Sequence, residues 1–133
     1  MANVQVEGLD ELNKNLNKLL KVSKNAVKEE ITDIALDLAS KSSNAAPIDL
    51  GDLRGSLATP KKISEFAWEV GSDLPYTRIQ HESLWFNHPK GGGAKFLERP
   101  FNENKKKYIK SIKDRLKEEM NNVTRWYKDN NPN

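Results

Sequence analysis

Apolar residues at three- and four-residue spacing run through both ends of this chain, and proline and glycine interrupt its middle. Leu9, Leu12, Leu16 and Leu19 fall on one helical face, and Val27, Ile31, Ile34 and Leu38 on a second. Ser23 and Asn25 lie between the two patterns, so the segment reads as two helices with a new cap or as one helix with a kink. Asp10 stands where an N-cap belongs. Pro47 sets the end, because the residue before a proline is pushed out of the helical region. Towards the other terminus, Pro100 suits the first turn of a helix, where a missing amide costs little. Ile109, Ile112, Leu116, Met120 and Val123 give that helix its stripe.

The middle has other periods. APIDLGDLRGSL reads as a loop and turn, in which Asp49 is expected to accept from nearby amides and Gly51 to take a positive φ. Asp49, Gly51 and Arg54 are thus the expected structural residues of the turn, with Leu50, Leu53 and Leu57 anchoring it on the core. Lys61 to Val70 looks extended, with Phe66, Trp68 and Val70 alternating onto one face until Gly71. Thr77 to Glu82 fits a second strand or a short helix. Val4 and Val6 suggest a short strand in an arm over residues 1–8, and residues 124–133 read as a loose polar tail. The order predicts one α+β domain over residues 1–133. N-terminal helices and a long C-terminal helix pack on a small antiparallel sheet, with an extended glycine-rich loop.

Bulk properties remove several functional classes. A chain of 133 residues suffices for one core. Its net charge of +3, from 22 basic and 19 acidic residues, is not by itself a nucleic-acid footprint. Cysteine is absent, which excludes disulfides and thiolate metal sites and fits a reducing cytoplasm. No apolar run approaches the roughly 20 residues that span a bilayer. MANVQVEGLDEL lacks a basic start and an apolar stretch, so no signal peptide is expected.

The candidate chemistry is sparse. His81, Glu82 and His88 could in principle hold zinc, but their spacing is not the helical HExxH arrangement that sets two ligands one turn apart. The expectation is that both histidines pin a loop and that no metal is bound. KGGGAKF lacks the strand, serine or threonine and helix start of a phosphate loop, so no cofactor is expected. No Gly-x-Ser-x-Gly elbow marks a hydrolase, and no catalytic residue is assigned. Lys105, Lys106, Lys107, Lys110 and Lys113 on the last helix leave DNA binding as an alternative, although Glu103, Asp114, Glu118 and Glu119 are interleaved with them.

The densest segment is Pro75 to Asn104, with two histidines, three prolines, a triple glycine and five aromatic residues. Aromatic residues beside a pliable loop suit an interface, where they are enriched. Leu84, Trp85, Phe86, His88, Lys90, Gly91, Gly92, Gly93 and Phe96 are therefore the expected subunit contact. Residues Lys90 to Ala94 should be replaceable without loss of folding.

Four stretches, in order, resemble the small minor capsid or head–tail connector proteins of tailed double-stranded DNA bacteriophages. They are VEGLDEL, APIDLGDLRGSL, VGSDLPYTRIQHE and HPKGGGAKFLERPFNEN. The second is similar to that family's Ala-Pro, then Asp-x-Gly-x-Leu-Arg-x-Ser turn, and the last to its glycine loop before a Phe-Leu-x-x-Pro-Phe helix start. The resemblance implies a virion protein at the head–tail junction, made in the host bacterial cytoplasm. It implies a homo-oligomeric ring, six- or twelve-fold, between portal-side connector and tail proteins, acting by assembly. Genome DNA would pass through its lumen without sequence-specific binding, and no membrane is involved.

Overall fold

The structure, a computed structural model, describes residues 8–130. Val4 and Val6, expected on a strand, lie outside the described residues. The elements run α1 (Leu9–Ala45), α2 (Gly51–Leu57), β1 (Lys61–Ser64), β2 (Ala67–Glu69), α3 (Thr77–Glu82) and α4 (Glu98–Asn130). The fold is mostly helical, with a small two-stranded antiparallel sheet and a long C-terminal helix, in line with an α+β chain. One expectation needs correcting: the long helices pack chiefly on each other, not on the sheet. β1 and β2 form a hairpin beside α1 in the register Lys61↔Glu69, Lys62↔Trp68 and Ser64↔Ala67, and its strands are largely exposed.

α1 runs for 37 residues without a break, about 55 Å at 1.5 Å per residue. Ser23 and Asn25 do not interrupt it: neither removes an amide donor, and Ala26 just beyond them is buried against the rest of the chain. Asp10 is not the cap. Gly8 holds that position in the left-handed region, φ 88°, and its carbonyl accepts from the Leu12 amide. Asp10 sits inside the first turn, where a carboxylate favours the positive helix end. α1 stops at Ala45, just before Pro47.

α4 returns antiparallel to α1. Tyr108 on α4 donates its hydroxyl to Asp37 on α1 at 2.6 Å, and Lys41 reaches both Asp37 (2.7 Å) and Asn104 (3.0 Å). Further along, Arg115 pairs with Glu29 and Glu30, and Lys18 lies 3.9 Å above the Trp126 ring. α4 continues through residues 124–130, so most of the supposed loose tail is helix, with Thr124 and Asn130 bonding back one turn.

The core sits at one end of this helical pair. Ala46, Leu53, Leu57 and Phe96 are fully buried there, with Leu50, Leu74, Tyr76 and Leu97 packed around them. Leu53 and Leu57 lie one helical turn apart on α2, which turns its apolar face inward and so anchors the segment as expected.

Candidate assembly surface

Everything between α3 and α4 is irregular, and its two halves behave differently. The first half stands in solvent. Leu84 is 72% exposed and Trp85 80%, with Phe86 edge-on to the indole at a centroid distance of 6.2 Å. An exposed leucine needs no explanation; a contiguous apolar tongue built around a tryptophan does.

The second half is docked. The Gly91 carbonyl accepts from the Ile48 amide (3.0 Å), and the Gly93 amide donates to the Ala45 carbonyl (3.1 Å). Gly91 and Gly92 have φ of 115° and 77°. A Cβ on Gly92 would lie 2.1 Å from the Ala46 carbonyl oxygen, so only glycine lets the loop pass this close. The triple glycine is therefore a seat on the end of α1 and not a free arm. Phe96 is likewise not an interface residue: it is fully buried in the core, with the His81 ring edge-on at 4.9 Å. Lys90 is exposed.

The turn residues work differently from expectation. Gly51 does not have positive φ; it is the first residue of α2, with open space around its Cα. Asp49 does not cap α2, which has no side-chain cap. Its Oδ1 instead meets His88 Nδ1 at 3.1 Å, tying the turn to the loop. The His88 side chain is buried and its Nε2 has no partner. Arg54 has the largest structural role. Its guanidinium donates to the Ala46 carbonyl through Nε (3.0 Å) and Nη2 (2.8 Å), and to the Asn44 carbonyl through Nη2 (2.8 Å). The last turn of α1 has no basic residue of its own, and α2 supplies the cation that its carbonyls need.

His81 holds the other base of the tongue. The Glu98 amide donates to His81 Nε2 at 3.2 Å, so Nε2 carries no proton and Nδ1 donates to Glu82 Oε1 at 2.8 Å. The Lys95 ammonium joins Glu82 and, at 3.3 Å, Glu98. Lys95 holds the Glu82 carboxyl below its usual range, with help from His81, and its own ammonium is held above the usual lysine value by Glu82 and then Glu98. His81 and His88 thus serve separate contacts. Among the described residues, no group of three or more histidine and carboxylate side chains could hold a metal ion.

Two features escaped the sequence. The first is an open groove of about 590 Å³ beside α3, walled by Leu38, Val70, Leu74, Pro75, Leu97 and Phe101. Its walls come from three separated segments, so no local pattern announces it. The second lies on α1, where Leu9, Leu12, Leu16 and Leu20 are each more than half exposed. Their spacing marks a helix but does not say whether the rest of the chain covers it. On α4, Lys106, Lys110, Lys113 and Lys117 line one depression around Ile109, with Asp114 paired to Lys110. No helix among the described residues is long and apolar enough to cross a membrane. No protein-family model, curated protein or solved structure matches this chain.

Proposed function

We propose that this chain is a structural subunit of a tailed double-stranded DNA phage. In this reading it forms a six- or twelve-fold ring at the head–tail neck and acts by assembly between portal-side connector and tail proteins. One observation carries the reading: the Leu84–Trp85 tongue is exposed, yet its two ends are fixed by His81 on one side and the glycine seat on the other. A tongue held this way loses little further entropy on docking, so its apolar surface is available for binding. The four ordered stretches that resemble the connector proteins name the setting. The test is to locate the chain by labelled imaging in purified particles. Label at the head–tail junction, and tailless heads when the gene is removed, are the expected results; label over the shell or absent from particles would reject the assignment.

A second reading has its own observation. Lys106 and Lys113 lie on one face of α4 with no ion pair among the described residues, beside Lys117, which with Lys110 draws down the Asp114 carboxyl. Such a face suits phosphate contacts, and duplex binding that weakens steeply with salt would favour it. Both readings hold together if the lysines face the lumen.

A further inference from the structure

Among the described residues the tongue is exposed and the groove open. The tongue offers Leu84, Trp85 and Phe86, which carry no charge. The groove has apolar walls and a polar rim whose charges balance: Glu82 and Glu98 are set against Lys95, which contacts both, and Arg78. An uncharged apolar side chain entering it leaves no ion unpaired. Its volume, about 590 Å³, lies within the roughly 300–1,000 Å³ typical of pockets that bury a compact ligand, which an indole with its neighbouring leucine resembles. The chain does not fill its own groove: the tongue begins two residues after Glu82, which lines it, yet Trp85 is 80% exposed.

We infer that Leu84 and Trp85 of one copy insert into the groove between α1, α3 and α4 of a second copy. This rests on the assembly reading above and names the surface that receives the tongue. A patch that fits a pocket elsewhere on the same molecule makes a head-to-tail contact, which propagates until it closes. The area calls for two such contacts per copy. Aromatic side chains bury roughly 150–250 Å² each, so the tongue and its seat together remove on the order of 800 Å², below the ~1,200 Å² of a stable pair. In a closed ring every copy makes two such contacts.

The test places the photoreactive aromatic amino acid benzoylphenylalanine at position 85 of the full chain and irradiates assemblies isolated from particles. The expected products are chain-to-chain crosslinks to peptides that contain residues 70–78 and 97–101. Phe101→Glu, in the groove wall, should remove at least nine-tenths of the crosslink, whereas Ile109→Glu, equally exposed on α4 outside the groove, should leave it unchanged. Crosslinks within one chain, to another protein, or to a different face of the second copy overturn the inference, as does full crosslinking in the Phe101→Glu protein. If multi-copy assemblies persist while crosslinks map elsewhere, only the groove assignment fails. If particles never hold two neighbouring copies, the assembly reading fails with it.

Discussion

The loop seat turns on single atoms. At Gly92 a methyl group would meet the Ala46 carbonyl and a backbone at φ 77°, so Gly92→Ala should destabilise the chain by at least about 2 kcal/mol. At Gly51 the backbone is helical and the space open, so Gly51→Ala should be neutral or stabilise by up to about 1 kcal/mol. Denaturant melts of the two variants read both values, and equal effects would contradict this placement of the glycines. Arg54→Ala should cost about 2 kcal/mol, because the fully buried Ala46 would lose its charged donor. Arg54→Lys should recover little, since an ammonium cannot reproduce the guanidinium fork. Single residues were legible in the sequence where the cause is local. Pro47 ends a helix, Pro100 sits in a first turn, and Leu53 and Leu57 face the core. Trp85 and Phe96 were not separable: both are aromatic residues beside glycine, and only the long-range return of the loop onto α1 buries one and leaves the other in water.

At the level of elements, the two long helices bury Ala26, Ala35, Ala39, Tyr108 and Val123, and a few polar pairs cross between them. Lys41 and then Tyr108 keep the Asp37 carboxyl below its usual range, and burial followed by Asp37 pushes the Tyr108 hydroxyl above its own. A lowered native carboxyl value means that its stabilisation is complete above the unfolded value near ~4 and fades as pH falls through the native one. A raised tyrosine value means the reverse: its contribution is complete below ~10 and fades as pH rises through the native value. Stability should therefore be flat between these limits with respect to this pair, and Asp37→Asn should weaken the acid slope. Melting temperatures taken from pH 2 to 7 on both proteins read this, and identical slopes would contradict it. The exposed leucines of α1 predict the opposite of a core: Leu16→Lys should change the stability of the isolated chain by no more than about 0.5 kcal/mol. Helix type, the end of α1 before Pro47 and the start of α4 near Pro100 were readable from periodicity and proline. The continuity of α1 through Ser23 and Asn25 was not, because polar residues lower helix propensity only slightly and tertiary packing decides. The helix over residues 124–130 was hidden in the same way, behind a polar composition that α4 carries as a solvated extension.

For the whole molecule, the small core at one end lies beside an apolar tongue that the described residues leave in solvent. The expectation that Lys90 to Ala94 can be replaced without loss of folding does not survive the glycine seat; removing them should destabilise the end of α1 as well as the tongue. The cleaner probe is Trp85, whose side chain the isolated fold leaves in solvent. Trp85→Ser should leave stability within about 0.5 kcal/mol, yet weaken each contact of the proposed ring by about 2 kcal/mol or more, as a central aromatic anchor does. The most direct measurement is the number of copies of this chain per purified tailed particle, with and without that substitution. The account predicts six or twelve copies in the unaltered particle and near-complete loss in the Trp85→Ser particle, while the variant chain remains folded. A full complement of the Trp85→Ser chain in particles, or a single copy of the unaltered chain, would contradict it.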